Sequence, residues 1–209
     1  MVLLLQNLIL KILITTTIKS AINMFKEMFH FTPGYGKPFI VKDFGNHRWE
    51  ISGVIGIVGS TEGVIVIRLT RNMAFKLLKE TGMVGKTSKE INSLVTGMVG
   101  ELANIISGNA INVITDKRVD ITVPIIVQGP NHIISWPQKG PIISIPFTTP
   151  YGPFEMQINI IYHHYQLNLL YDKELTPLVP VPYFVVFYTA KELSVTLYRE
   201  LLAHSLSSS

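Results

Sequence analysis

The sequence predicts one α+β domain followed by a C-terminal extension of different character. The chain has 209 residues, which suits one domain with a tail because domains commonly span about 100–200 residues. Apolar residues recur at helical spacing in two stretches, and segments rich in Val and Ile, separated by turn residues, lie between and after them. Two helix–strand blocks and a meander of strands favour an α+β domain that ends near residue 162.

The composition narrows the class of partner and the class of site. The chain has 18 basic and 14 acidic side chains, a formal net charge of +4, and no cysteine. The lack of cysteine excludes a disulfide scaffold, a thiolate zinc site and a cysteine nucleophile. The basic residues form no run or stripe, so we expect no nucleic acid partner and favour a protein partner.

Residues 1–13 form an apolar segment that we treat separately, because Gln6, Asn7 and Lys11 interrupt it. A membrane-spanning helix needs about 20 apolar residues, so this segment is short. A signal peptide carries its charge before the apolar stretch, whereas Lys11 lies inside it. We expect a buried strand or a helix extension, no membrane partner and a cytoplasmic protein; the alternative is a membrane-tethered adaptor.

Helical spacing and capping signals place three helices in the domain. Residues 14–29 carry apolar side chains on one stripe. Asn72 can cap a second helix that runs to about residue 81, where Gly82 ends it. Thr87 and Glu90 form the capping-box pattern, in which each side chain bonds the backbone N–H of the other, and a long helix follows to about residue 110.

Val- and Ile-rich segments bounded by turn residues predict the strands. Two of these strands form a hairpin around the turn at residues 59–62. Pro124 and Pro146 fall inside two others and indicate sheet edges or bulges, because proline cannot donate to a ladder. The expected strands span residues 51–58, 63–70, 120–128, 140–147 and 154–161.

Residues 163–209 form the C-terminal extension, whose role the sequence leaves open. Several prolines interrupt the extension. Residues 183–188 have the composition of an aromatic strand, and residues 190–204 have the spacing of a helix.

The long helix of the domain carries the most informative pattern. At about 100° per residue, Gly97, Gly100, Glu101 and Gly108 fall within about 60° of Asn104. This face is small and nearly bare, except for one carboxylate and one carboxamide a turn apart. The apolar residues Leu94, Val95, Met98, Leu102, Ile105 and Ile106 occupy the opposite half.

Two explanations of the glycines on this face are open. Each glycine costs about 1 kcal/mol relative to alanine in an exposed helix, so a compensating role is expected. Gly97 and Gly100 could let another helix of the same domain approach closely. Alternatively, the backbone of a partner approaches while Glu101 and Asn104 reach into it, since neither polar group can be buried unpaired without a penalty.

Five segments resemble, in the same order, motifs of the CheC/CheX family of chemotaxis phosphatases. Residues 101–109 (ELANIISGN) resemble its ExxNxxxGN signature, and residues 51–57 (ISGVIGI) resemble its D/EISGxIG strand. Residues 63–69 are similar to the strand that pairs with it, residues 129–132 (GPNH) to its GxNH turn, and residues 141–154 to its PxxxIPFxTxxGxF hairpin. The sequence has no second Glu-x-x-Asn, which favours the CheX branch over the two-site CheC branch.

The resemblance implies a CheX-like domain over residues 14–162, with a mixed or antiparallel sheet packed against two long helices. It implies a hydrolase that accelerates hydrolysis of the aspartyl phosphate on a CheY-type response regulator. Asn104 would orient the attacking water, and Glu101 would pair with a lysine of the regulator. Gly97, Gly100 and Gly108 would form the partner-binding face.

The resemblance also implies the cofactor and the assembly. The protein would need no cofactor of its own, because the regulator supplies Mg²⁺. Subunits of the CheX branch join edge strands, so we expect a homodimer. The alternative from a different class is a non-catalytic binding module for phosphorylated regulator, similar to flagellar-switch proteins; such a binder has no need to keep Glu101 and Asn104.

Other candidate sites favour structural roles. His163 and His164 are adjacent and would point to opposite sides of a strand, so we expect no metal site there. Asn131 and His132 lie in an expected turn, where Asn tolerates positive φ and His can bond the backbone. Residues 53–59 mimic a glycine-rich phosphate loop, but no Gly-Lys-Ser/Thr follows.

Overall fold

Three helices and an eight-stranded sheet make up the domain in the computed structural model, which describes residues 2–42, 48–112, 114, 119–136 and 140–162. The chain divides into two units, Met1–Ile161 and Tyr162–Ser209. The strand and helix expected at residues 183–188 and 190–204, and the pair His163-His164, lie outside the described residues. In chain order the elements are α1 (Val2–Phe29), β1 (Gly34–Tyr35), β2 (Phe39–Ile40), β3 (Ile51–Gly59), β4 (Thr61–Leu69), α2 (Arg71–Glu80), α3 (Ser88–Ile111), β5 (Val119–Ile121), β6 (Ile125–Gln128), β7 (Ile142–Thr149) and β8 (Gly152–Tyr162).

The sheet runs in the order β1-β7-β8-β4-β3-β5, with β2 also paired to β7 and β6 also paired to β3. The ladders of β3 with β4, β5 and β6, and those of β7 with β1, β2 and β8, are antiparallel. Among the described residues β5 and β6 pair only with β3, so they form one edge of the sheet. The sheet and the two long helices α1 and α3 confirm the predicted α+β class.

Gly53 of β3 lets α3 lie directly against the sheet. A Cβ at this position would lie 2.9 Å from Cβ of Ala103 and 3.2 Å from the carbonyl oxygen of Val99. Ile51 and Ile55 share this face of β3, since alternate residues of a strand point the same way, and both are buried. The apolar half of α3 is therefore turned to the core, as predicted; its buried members include Val95, Met98, Leu102 and Ile106.

Helix α1 is longer than the predicted helix over residues 14–29, because it continues without a break through the apolar N-terminal segment. Leu13 and Ile14 are both buried, so the helix-extension interpretation of this segment is confirmed. No break in the helix marks the boundary that we expected between residues 13 and 14. The hydroxyl of Thr16 donates to the carbonyl of Ala110, 3.2 Å away, and thereby joins α1 to the end of α3.

The prediction that Asn72 caps α2 is wrong by two residues. The backbone of Thr70 is extended, and its hydroxyl accepts a hydrogen bond from the Met73 N–H at 3.2 Å. Asn72 lies inside the first turn, where an N-cap side chain cannot act. The capping box of α3 is confirmed, since the Glu90 N–H donates to Oγ1 of Thr87 and the Thr87 N–H donates to Oε2 of Glu90.

The strand predicted over residues 120–128 is two short strands, β5 and β6, separated by residues 122–124. Both strands pair with β3 at the sheet edge, so the prediction of an edge or bulge at Pro124 is confirmed. Pro146 does not lie at an open edge, because β7 has β8 on one side and the short strands β1 and β2 on the other. Pro146 falls in the gap between β1 and β2, and its carbonyl accepts from the Gly36 N–H at 2.8 Å.

One helix of the described residues, α3, is long and apolar enough to cross a membrane by length and composition. In the most apolar 18-residue stretch of this helix, 56% is buried inside the domain. The contacts of α3 with β3 to β6 and with α1 identify it as the core helix of the domain.

Candidate functional site

Glu101 and Asn104 lie on α3, on the side of the helix that the core leaves uncovered. They are three residues apart, so their side chains leave the helix on the same face. Glu101 is exposed and Asn104 is half-buried. The structure thus brings together the carboxylate and the carboxamide that the sequence pattern singled out.

Both side chains line an open cleft of about 440 Å³ between α3 and the edge of the sheet. One wall is polar and small, since α3 contributes Glu101, Asn104 and two glycines. The other wall is largely apolar and comes from the end of β5, the break after it and the start of β6. The lining residues of that second wall are Ile121, Thr122, Val123, Pro124 and Ile126.

Of the expected partner-binding glycines, Gly97 and Gly100 line this cleft and Gly108 lies outside it on the same helix. A Cβ on Gly97 would have no neighbour within 4 Å among the described residues. On Gly100 it would lie 3.6 Å from Cγ of Pro124, and on Gly108 it would lie 3.6 Å from Cδ1 of Ile121. These are ordinary van der Waals distances, so alanine would fit at each position. Close packing within the described residues therefore does not require glycine at these positions. Gly97 is exposed, whereas Gly100 is buried beneath the strand wall, which the sequence pattern did not predict.

Sequence reasoning missed the strand wall of the cleft. Thr122 and Val123 of this wall line the cleft, but neither belongs to a motif with recognisable chemistry. The available signal was Pro124, because a proline inside a Val- and Ile-rich run indicates a break that turns neighbouring side chains outward.

Hydrogen bonds hold the two walls in place. The side-chain amide of Gln128 at the end of β6 donates to Oγ1 of Thr96 on α3, 2.6 Å away. At the break, the Thr122 N–H donates to the carbonyl of Gly56 at 2.9 Å, and the Gly56 N–H donates to Oγ1 of Thr122 at 2.9 Å. The cleft is therefore fixed by bonds on both sides.

Asn131 and His132 take part in the fold, outside the cleft. Asn131 has a φ of 55° and Gly129 has a φ of 127°, which fits the expected turn. Nδ1 of His132 lies 2.8 Å from the carbonyl oxygen of Gly129, and Nε2 lies 2.7 Å from Oγ of Ser52. A carbonyl can only accept, so in the neutral imidazole Nδ1 carries the hydrogen and Nε2 accepts from the serine hydroxyl.

The described residues hold no group of three or more His, Cys, Asp or Glu side chains that could bind a metal ion. The chemistry available in the cleft is therefore that of one carboxylate, one carboxamide and the threonine hydroxyls beside them. A carboxamide can donate and accept hydrogen bonds at the same time, and a carboxylate can pair with a cation.

Comparisons with known proteins identify the family. The sequence profile described as "Chemotaxis phosphatase CheX" matches residues 51–148. A comparison with curated proteins finds no match.

Solved structures resemble the chain over nearly their whole length. A CheC-like superfamily protein from Shewanella sp. PV-4 is 31% identical, with a TM-score of 0.62 over 72% of this chain and 97% of that chain. The chemotaxis protein CheX from Vibrio vulnificus is 29% identical, with a TM-score of 0.62 over 71% of this chain and 99% of that chain. The CheX–CheY–BeF3–Mg²⁺ complex from Borrelia burgdorferi gives 25% identity and a TM-score of 0.59 over 70% of this chain and 96% of that chain.

These matches identify the same family as the motif resemblance of the sequence. The sequence profile covers residues 51–148, which include every residue that lines the cleft. The chain belongs to the CheX family of chemotaxis phosphatases.

Proposed function

We propose that this protein is a phosphatase for a phosphorylated CheY-type response regulator, with Glu101 and Asn104 as its catalytic pair. The observation that carries the proposal is their position. A carboxylate and a carboxamide lie a turn apart on the helix wall of an open cleft, next to Gly97, where a Cβ would have no described neighbour within 4 Å. The similarity to a CheX solved with CheY, BeF3 and Mg²⁺ supports a regulator as the partner.

In this proposal Asn104 acts on the attacking water. Its carboxamide oxygen accepts one hydrogen bond from the water while the regulator fixes the phosphoryl group in line. The water oxygen bonds to phosphorus, and the bond from phosphorus to the aspartyl oxygen breaks. The aspartate leaves as a carboxylate, inorganic phosphate is released, and the protons of the water pass to phosphate and solvent. Asn104 positions the water without removing its proton.

Glu101 acts on the partner. Its exposed carboxylate can form a charge-assisted hydrogen bond with a lysine of the regulator, which fixes the approach of the two proteins. The open surface at Gly97 allows loops of the regulator to come close to the helix backbone, and Gly100 continues it inside the cleft. Gly108 extends this surface by two turns toward the end of α3.

The metal in this proposal belongs to the regulator. The Borrelia burgdorferi complex contains BeF3 and Mg²⁺ together with CheY, which supports a regulator that supplies Mg²⁺ to the reaction. Mg²⁺ neutralises the charge on the phosphoryl oxygens. Residues of this chain then have to contribute only position and electrostatic complementarity.

The direct test is loss of phosphate from a labelled regulator with and without this protein. Catalysis predicts that a substoichiometric amount of the protein accelerates dephosphorylation through many turnovers. The alternative, a non-catalytic binding module, predicts capture of phosphorylated regulator with an unchanged or slower loss of phosphate.

We also propose that the protein is a cytoplasmic homodimer joined through edge strands, with a phosphatase domain over residues 14–162. Among the described residues β1 and β2 pair only with β7 and leave an outer edge of the sheet, which supports the assembly because unpaired strand edges tend to be covered. Light scattering should give twice the monomer mass, and a monomer at micromolar concentration would exclude this assembly.

Carbonate extraction of a membrane fraction tests the proposed cytoplasmic location. It should release the protein; retention would favour a membrane-tethered adaptor.

A further inference from the structure

A highly exposed valine forms part of the cleft wall that faces Asn104. Val123 is 80% exposed, and it lines the same cleft as Glu101 and Asn104. Single exposed apolar residues are common on protein surfaces and by themselves need no explanation. Val123 differs in its location, because it lies beside the polar groups that a partner has to reach.

The fold holds the backbone around Val123 in place. Thr122 and Gly56 exchange two hydrogen bonds of 2.9 Å, one from each backbone N–H. The hydroxyl of Thr122 also donates to the carbonyl of Val123 at 3.0 Å. Pro124 follows with a fixed φ and no N–H to pair. Hydrogen bonds therefore fix the break between β5 and β6, and with it the position of Val123 beside the cleft.

Two large apolar residues near the break between β5 and β6 are highly exposed, Val123 and Ile125, and they differ in their relation to the cleft. Ile126 is opposite Gly53, on the α3 side of the sheet, and its Cδ1 would lie 3.7 Å from a Cβ on Gly100. Ile125 is 62% exposed, but it precedes Ile126 and so points to the other face. Ile125 does not line the cleft, whereas Val123 does.

We propose that Val123 is a specificity-determining contact for the phosphorylated response regulator, and that it packs against an apolar patch bordering the acyl phosphate. This inference rests on the proposed function. A regulator that brings its phosphoryl group to Asn104 has to enter the cleft between α3 and residues 121–126. Its surface then lies against Val123, which loses its exposure on binding. The valine has no group that can act on the water, so it sets affinity and leaves the chemical step unchanged.

The test compares Val123→Ser with Ile133→Ser. Ile133 is the control: it is 77% exposed, which is similar to Val123, and it does not line the cleft. Truncating a side chain that contributes to an interface weakens binding by about five- to tenfold. Val123→Ser should raise KM for phosphorylated regulator by about five- to tenfold with an unchanged kcat, and Ile133→Ser should change neither. An unchanged KM, or a fall in kcat alone, would overturn the inference.

Two parallel measurements separate this inference from the proposed function. The first is the Kd for regulator saturated with BeF3 and Mg²⁺, which reports binding without turnover; Val123→Ser should weaken it as much as it raises KM. The second is the rate with Asn104→Ala. If Asn104→Ala loses activity while Val123→Ser binds like the parent, the proposed function stands and the role of Val123 is refuted. If Asn104→Ala keeps full activity, the proposed function fails and the Kd of Val123→Ser still decides the contact.

Discussion

The imidazole of His132 is hydrogen-bonded to the hydroxyl of Ser52, with 2.7 Å between Nε2 and Oγ. Ser52 lies in β3 and is fully buried, whereas His132 follows the turn after β6, 80 residues further along the chain. The Gly129 N–H donates to the carbonyl of Glu50 at 2.9 Å beside them. The bond thus joins the ISG strand to the GPNH turn and holds β6, a wall of the cleft, on the edge of the sheet.

Replacing His132 with alanine should lower the free energy of unfolding by about 1–3 kcal/mol, because the buried hydroxyl of Ser52 loses its acceptor. Denaturant unfolding measures this effect. Adding Ser52→Ala should restore part of the loss, since the stranded hydroxyl is then removed. Fully additive effects of the two substitutions would show that the pair does not act as a unit.

Substitutions at Gly56 and Thr122 should have coupled effects on stability, because the Cγ2 methyl group of Thr122 lies against Gly56. A Cβ on Gly56 would lie 2.9 Å from Cγ2 of Thr122, and 3.3 Å from its Oγ1. Gly56→Ala should therefore destabilise the domain by about 1–3 kcal/mol through overpacking. Thr122→Ser removes the methyl and keeps the hydroxyl, so the double variant should recover most of that loss in thermal unfolding. A double variant as unstable as Gly56→Ala would contradict the coupling.

Compared with a larger residue at the same position, Gly97 should lower the stability of the domain and favour binding of the regulator. Gly97→Ala should raise the free energy of unfolding by about 1 kcal/mol, because the site is open and alanine is the better helix former. Gly97→Leu should keep the fold for the same reason and weaken capture of phosphorylated regulator through its bulk. Calorimetry and a binding titration report the two effects; tight binding by Gly97→Leu would place the docking face elsewhere.

Glu101 should contribute to capture of the regulator through its charge. Glu101→Ala should weaken binding of phosphorylated regulator, and Glu101→Lys should weaken it further if a lysine of the regulator is its partner, as proposed. Glu27→Lys on α1 makes the same change in net charge at an exposed position away from the cleft and should bind like the parent protein. Equal losses for Glu101→Lys and Glu27→Lys would indicate a general charge effect.

The sequence predicted α3 in detail because its signals are local. Thr87 and Glu90 form a capping box three residues apart, and the period of the helix places Glu101 and Asn104 on one face. The cap of α2 was misplaced because Thr70 and Asn72 have similar capping propensities. The choice between them depends on where β4 ends.

The strand wall of the cleft could not be predicted, because it depends on contacts between distant segments. Thr122 completes the wall through bonds to Gly56, a residue of another strand. The sequence shows Gly56 only as one residue of a strand motif. A side chain is excluded there because Thr122 lies against it, and this contact is visible only in the structure. Sequence pattern gives the periodicity of each element, whereas the pairing of edge strands is a tertiary property.

In the proposed reaction Asn104 orients the water that hydrolyses the aspartyl phosphate. The most direct measurement is single-turnover loss of phosphate from regulator at saturating concentrations of Asn104→Ala and of the parent protein. Loss of a positioning group of this kind costs about 100- to 1,000-fold in rate, so Asn104→Ala should lose nearly all acceleration while Kd changes little. Asn92→Ala, an exposed position on the same helix that does not line the cleft, should keep the parent rate. Full acceleration by Asn104→Ala would contradict the account.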